Sequence, residues 1–218
     1  MTDQKLLKYL EGFMTEDRIA RFHQILALRT KHLTVAIEDV FQAHNASAVI
    51  RSCEVFGIQE AHFIEERFGQ ALDSKIAMGA EKWVDTFRYN NTQECIDTLR
   101  KRGYQIVATT PHNDSCLLED FDITNKSALF FGTERDGLSD EVMQQADAFL
   151  KIPMVGFTES LNISVSAAII LETLGAKLRK SSVNWELTPG EKLDKRLDWA
   201  KKTVRSLEDL LSRYYQEK

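Results

Sequence analysis

The chain has 218 residues, is 43% hydrophobic and 28% charged, and carries a formal net charge of −5. That length is enough to bury a substantial core, while no apolar run approaches the ~20 residues a membrane span needs and the opening MTDQKLLKYLEGF is too charged for a signal peptide. An acidic total excludes nucleic-acid binding through bulk charge, so any RNA contact must rest on local clusters of Lys and Arg.

Residues 3–30 read as two helices broken near Gly12, with Thr15 capping the second and Ile19, Phe22, Ile25 and Leu26 on one face. From residue 33 short β-rich runs alternate with amphipathic helices. LTVAIEDV (33–40) is a strand, ASAVIRSCEVFG (46–57) a helix and EAHFIE (60–65) a strand. After an irregular stretch come WVDTFRY (strand), TQECIDTLRKRG (helix), YQIVATT and SALFFG (strands), SDEVMQQA (helix), AFLKIP (strand) and a helix over 163–179. This alternation predicts the α/β class: a mostly parallel sheet with helices on both faces. QIVATT and ALFFG are apolar almost throughout, as expected for strands covered on both sides. Cys53, Cys95 and Cys116 are far apart, show no ligand spacing, and read as buried free thiols of a reducing cytoplasm.

TPGE (188–191) spells a capping box with Pro at the first helical position. Beyond it Leu193, Leu197, Ala200, Val204, Leu207, Leu211 and Tyr214 recur at alternating spacings of four and three, a heptad seam of about three repeats. Its partner is either a helix of a second subunit or the chain's own N-terminal helices.

Three segments look unlike scaffold. In HNASAVIRSCEVFG (44–57), Asn45 is placed as a helix cap and Arg51 stands among Ala48, Val49, Ile50, Val55 and Phe56. A guanidinium there is either held in a structural ion pair or turned to a cleft that binds an anion or substrate. In FFGTERDGL (130–138), a buried strand ends at Gly132, a polar turn carries Glu134 and Arg135, and Gly137 permits a tight bend. Glycine-bearing loops at strand carboxyl ends are where open α/β sheets bind ligands, though the spacing fits neither GxGxxG nor a P-loop. In IPMVGFTESLNISVSAAIILETL (152–174), Ser160 or Asn162 caps a long apolar helix whose first turn also offers free N–H groups to a ligand. No nucleophile elbow and no nearby histidine accompany Ser160, which argues against a serine hydrolase.

Taken in order, NASAVIR (45–51), FGTERDGL (131–138), IPMVG (152–156) and SLNISVS (160–166) resemble the signature motifs of the SpoU (TrmH) branch of the SPOUT RNA methyltransferases. The resemblance implies 2′-O-methylation of a ribose in structured RNA with S-adenosylmethionine as methyl donor, no metal, and a C-terminal part of the core threaded as a trefoil knot. It implies a homodimer built through the knot region, with the site completed across the interface, working in the cytoplasm with no membrane association. Transferred to matching positions, the cofactor would be held by Ala108 and Thr109, by Gly132 and Gly137, and by Ile152, Met154, Ser160 and Leu161. Only residues 1–32 precede the first core strand, too few for the separate RNA-binding domain of many ribosomal-RNA members. The arrangement expected is a helical extension over 1–32 that contacts RNA, a methyltransferase core over 33–180, and a helical extension over 181–218. With these extensions the chain is most similar to the members that methylate the D-loop guanosine at tRNA position 18. A ribosomal-RNA or other tRNA ribose target is the alternative, and a non-catalytic RNA-binding relative a more distant one.

The transfer requires the 2′-hydroxyl to lose its proton. The resemblance gives this task to Arg51, yet an arginine is almost never neutral. A phosphate beside the ribose, clamped by Arg51, resolves the conflict better than a strongly depressed arginine pKa. Asn45 would orient Arg51 or the ribose, Glu134 would hold the network, and Ser160 with Asn162 would shape the pocket. Phosphate contacts are expected from Arg18, Arg21, Arg29 and Lys31 on the N-terminal side and from Lys177, Arg179 and Lys180 past the last core helix.

Overall fold

The computed structural model describes residues 3–39, 43–66, 74–111, 115–133 and 136–216. Helices α1 (Gln4–Glu11) and α2 (Glu16–Leu26) precede strand β1 (Leu33–Glu38), α3 (Ala43–Val55), β2 (Glu60–Ile64) and the short α4 (Ser74–Ala77). After a 3-10 turn at Ala80–Lys82 come β3 (Asp85–Tyr89), α5 (Thr92–Lys101), β4 (Gln105–Thr109), β5 (Cys116–Leu117), β6 (Ser127–Phe131), α6 (Asp140–Gln145) and β7 (Ala148–Lys151). Then follow α7 (Ile163–Arg179), α8 (Pro189–Thr203) and α9 (Leu207–Gln216). The chain divides into two compact units, residues 30–185 and residues 1–29 with 186–218.

The larger unit is a seven-stranded sheet in the order β3-β2-β1-β6-β4-β7-β5, parallel at every pairing. Successive side chains of a strand point to opposite faces, and here each face has its own helical cover. Leu129 and Phe131 of β6 join Val49, Ile50 and Cys53 of α3 and Ala167, Ile170 and Leu171 of α7. Ala128 and Phe130 join Cys95, Ile96 and Leu99 of α5 and Val142 of α6. Burial on both faces is why these strands read as unbroken apolar runs rather than alternating ones.

The order of strands also sets where their ends meet. The chain lays β1, β2 and β3 outward to one edge and crosses back for β4 and β5. Then β6 enters between β1 and β4, and β7 between β4 and β5. Ser127 lies level with both Leu33 and Gln105, so the strands start together and finish on one edge. The turns that follow β4, β6 and β7 are therefore neighbours in space, although they lie far apart in sequence.

Local chemistry explains the helix starts. Asn91, Ser139 and Asn162 cap α5, α6 and α7, each accepting a hydrogen bond from a backbone N–H of the first turn. Asn45 does not cap: the helix is already formed at Ala43, so Asn45 lies inside α3. Cys53 and Cys95 are buried free thiols as expected, but Cys116, at the start of the edge strand β5, is exposed.

In the smaller unit Thr15 caps α2, and the Thr188–Glu191 box closes in both directions. The heptad seam is two helices rather than one. Val204 leaves the helix at ψ 140° and Ser206 adopts φ +52°, which separates α8 from α9. Both helices turn their seam residues onto Leu6, Leu7 and Leu10 of α1, so the seam's partner is the chain's own N-terminal segment. Arg29, expected at an RNA-facing surface, is buried instead. It is 1% exposed, with its guanidinium 5.6 Å over the ring of Trp199, which itself packs edge-on against Phe22. A guanidinium withdrawn from solvent to that degree is not placed to meet an RNA phosphate. No helix among the described residues is long and apolar enough to cross a membrane.

Candidate active site

Three turns at the carboxyl edge of adjacent strands build the site. After β6 the chain folds on itself: the Thr133 and Gly137 N–H groups donate to each other's carbonyls at 3.0 and 3.1 Å, and the Asp136 N–H donates to Thr133 Oγ1 at 2.9 Å. The two glycines serve this turn for different reasons. Gly137 takes φ +72°, where a side chain is strained. Gly132 has no room for one, because a Cβ would fall 2.1 Å from the Gly137 carbonyl oxygen. Next to it, Thr109 at the end of β4 donates its hydroxyl to the Phe130 carbonyl at 2.6 Å and ties that turn to β6.

These turns enclose a cavity of about 340 Å³, a size typical of small-ligand sites. Thr109, Gly132, Gly137, Ile152, Met154, Ser160 and Leu161 line it, as the sequence predicts. Ala108 does not: it is fully buried within β4, paired with Phe130 and Phe149, one residue short of the opening. Sequence reasoning missed Thr110, Pro111, Leu138, Lys151, Glu159, Ser166 and Ile170. Each sits within two residues of a strand end or motif turn, or within two helical turns of the start of α7, and adjacency was the available signal. The lining offers an apolar shelf (Ile152, Met154, Leu138, Leu161) and polar groups (Thr109, Ser160, Glu159, Lys151). A nucleoside with a charged tail fits that division.

The first and third motifs touch. Asn162 Nδ2 donates to Asn45 Oδ1 at 3.2 Å, while Asn162 Oδ1 accepts from the Ser164 N–H at 2.8 Å and the Ser164 hydroxyl at 2.6 Å. Asn162 is thus both the cap of α7 and the strut that holds α3 against it; Asn45 at the inner end is 2% exposed. Arg51 stands apart. Six residues after Asn45 it falls on the outward face of α3 with Val55, exposed, without an ion pair or hydrogen bond to the described residues, and it does not line the cavity. The structural ion pair is therefore excluded among the described residues. Glu134 and Arg135 lie outside the described residues.

The basic candidates separate by what they already hold. Arg18, Arg21 and Lys180 are exposed. Lys31 pairs with Glu60 at 3.1 Å. Lys177 donates to the carbonyls of Glu119 and Phe121 at 2.9 and 2.8 Å. Arg179 donates to the Phe56 carbonyl at 2.6 Å and lies 5.8 Å over Trp185, and desolvation by burial lowers its pKa. These last three are committed to the core itself. In the smaller unit the structure adds a cleft of about 520 Å³ where Arg18 meets Arg205 and Arg213, with Phe13 and Asp209 also on its walls.

Residues 32–172 match the model of the SpoU rRNA Methylase family. The chain belongs to that family. It is 43% identical to the tRNA (guanosine(18)-2′-O)-methyltransferase of Borreliella burgdorferi over 93% of both chains. The crystal structure of the A. aeolicus TrmH/SpoU tRNA modifying enzyme superposes with a TM-score of 0.78 at 30% identity, covering 87% of this chain and 98% of that one. The SpoU methyltransferase AviRb from Streptomyces viridochromogenes, solved in complex with AdoMet, gives 0.63 at 25% identity over 72% of this chain and 62% of that one. The SpoU match lies wholly within the larger unit, and all three turns that line the cavity lie inside the match.

Proposed function

We propose that this protein transfers the methyl group of S-adenosylmethionine to the 2′-hydroxyl of guanosine 18 in the D-loop of tRNA. The observation that carries the proposal is the meeting of the turns after β4, β6 and β7 on one cavity, the last two carrying the second and third motifs, in a chain 43% identical over 93% of its length to a relative that bears this activity in its name.

The donor, when bound, supplies a methyl group on a sulfonium centre open to displacement. Ile152, Met154, Leu138 and Leu161 would receive its adenine, and the backbone groups of Gly132, Thr133 and Gly137 would hold its polar edges. The chain's own residues do the rest. Asn162 fixes the entrance of α7 and, through Asn45, the facing helix, so Ser160 is held at the rim. Arg51, charged, would clamp the phosphate beside the target ribose in a bidentate contact, and that phosphate would draw the hydroxyl proton.

Arg51 does not reach its own cavity, and this supports a homodimer in which the partner supplies it. Val155 and Phe157, in the segment between the cavity residues Met154 and Glu159, are fully exposed, and Leu161, Val165 and Ile169 are further exposed apolar residues just before and along α7. A second copy that covered these residues would bury them and would bring a second α3 to the site. The trefoil threading is part of the same proposal, supported by the late insertion of β6 and β7 between earlier strands. So is the division into a transferring core, 33–180, and helical extensions, 1–32 and 181–218, that meet RNA through Arg18, Arg21, Arg205 and Arg213. The cytoplasm, where tRNA is matured, is the proposed place of work.

The test is methyl transfer from labelled S-adenosylmethionine to unmodified tRNA transcripts, with the product nucleotide mapped. Label on the ribose of guanosine 18, lost in a transcript carrying adenosine there, is expected. Label on ribosomal RNA alone overturns the substrate, and no transfer to any RNA overturns the activity.

A further inference from the structure

At the end of β1 lies a buried carboxylate that methyl transfer does not use. Glu38 is 2% exposed and forms no ion pair among the described residues. It accepts three hydrogen bonds: from the Thr92 hydroxyl at 2.7 Å, the Ser139 hydroxyl at 2.6 Å and the Ser139 N–H at 2.8 Å. Burying a carboxylate without a cation is costly, and short charge-assisted hydrogen bonds are what offsets it. The other buried glutamate at a strand end, Glu60, is compensated differently, by Lys31 and Arg102.

The donors show what Glu38 holds. Thr92 is the first residue of α5. Ser139 is the cap of α6 and directly follows Leu138, the last cavity-lining residue of the turn after β6. That turn is anchored at its start by the pairing of Phe131 with Ile37 of β1, one residue before Glu38. At its far end the anchor is Ser139 on Glu38. Both ends of the turn are therefore referenced to the last two residues of β1.

We propose that Glu38 is a positioning residue for the cofactor. It pins the far end of the turn after β6 so that the backbone groups of Gly132, Gly137 and Leu138 face the cavity in the orientation that receives S-adenosylmethionine. The inference rests on the reading of this cavity as the cofactor site. Glu38 itself touches neither the cavity nor a reacting atom.

The decisive variant is Glu38→Gln, which keeps shape but turns an amide donor toward groups that also donate. Calorimetric binding of S-adenosylmethionine is expected to weaken about tenfold, the effect of losing one charge-assisted hydrogen bond. The cofactor KM should rise with it, while turnover at saturating cofactor and the Kd for tRNA stay within about twofold. Thr92→Val removes a bond from the same carboxylate on the side that carries no cavity residue, and its cofactor affinity should match the native protein. Equal weakening by Thr92→Val, or native affinity in Glu38→Gln, overturns the proposal. If Glu38→Gln does not fold, Ser139→Ala carries the test: it removes the hydroxyl bond to Glu38 together with the α6 cap, keeps the N–H bond, and must weaken cofactor binding by about threefold, with Val142 still buried and the helix intact by circular dichroism, or the proposal fails. Native protein that binds no S-adenosylmethionine overturns the reading of the cavity and this inference with it. Native binding with unaltered variants overturns this inference alone.

Discussion

The two edges of the sheet in the larger unit are built on opposite principles. At the edge where the strands begin, nearly every polar group is spent on the protein itself. His32 Nε2 lies 2.7 Å from the Ile123 carbonyl, the Tyr104 hydroxyl donates to the Lys31 carbonyl at 2.5 Å, and Gln59 Nε2 donates to the Trp83 carbonyl at 3.0 Å. Glu60 holds Lys31 and Arg102 together, and Arg102 also lies over the rings of Phe87 and Tyr104. At the edge where the strands end, the backbone turns on glycines, a cavity opens between the turns, and Lys151 and Glu159 line it without a partner among the described residues. Ligands bind open α/β sheets at the carboxyl edge. What the comparison adds is that the opposite edge is closed by charge, so rigidity and reactivity occupy different ends of the same strands.

The contrast breaks most sharply with Arg51→Ala. This residue is exposed and holds nothing among the described residues, so the thermal midpoint should not move, while turnover on tRNA should fall on the order of 10³-fold. Equal turnover in a single-turnover assay would remove Arg51 from the chemistry. Next is Gly132→Ala. A Cβ placed 2.1 Å from a backbone oxygen forces the turn open, and calorimetric affinity for S-adenosylmethionine should drop by more than about tenfold with stability reduced by only ~1–3 kcal/mol. At the closed edge, Glu60→Gln should do the reverse. It leaves Lys31 and Arg102 without their counter-charge; both cations keep some solvent, so the expected cost is about 1–2 kcal/mol in urea unfolding, with cofactor affinity within about twofold.

The smallest effect at neutral pH comes from His62 in the middle of β2. Burial, and then the nearby Arg102, lower its pKa from 6.5 to about 3, with Nδ1 at 2.9 Å from the Tyr89 hydroxyl and Phe87 stacked on the ring. The unfolded chain takes up a proton near pH 6.5 that the folded chain refuses until about pH 3. The contribution is thus intact above about pH 6.5 and is lost progressively as pH falls toward 3. His62→Gln should flatten the fall of the urea midpoint between those values. An unchanged acid slope would show that other groups dominate it.

Much of this was legible in the residues because it is local. Doubly buried strands are apolar throughout, caps announce themselves one turn ahead, and the motif turns are contiguous in sequence. What was not legible joins distant positions: Asn162 reaches Asn45 across 117 residues, and Ser139 reaches Glu38 across 101. Arg29 looked like part of a basic surface because nothing near it in sequence points to Trp199. The seam over 193–214 looked like one helix because Val204 and Leu207 preserve the apolar phase across the break at Ser206. For Arg51 the apolar neighbours misled. Val49 and Ile50 face the core, but Arg51 follows the outward row with Val55.

The strand order has a consequence for the chain as it is made. β1 must wait for residues 127–131 before its second neighbour exists, and β4 waits for both β6 and β7. A nascent chain halted before β6 would carry one unpaired edge of β1 and both edges of β4, strands apolar on both faces, at what becomes the centre of the sheet. The centre is therefore completed late, and the long loops that such pairings close slow the search for them. For this protein the ribosome's schedule and the sheet's architecture run in opposite directions, and the candidate cavity, walled by the last strands to arrive, exists only when that conflict has been resolved.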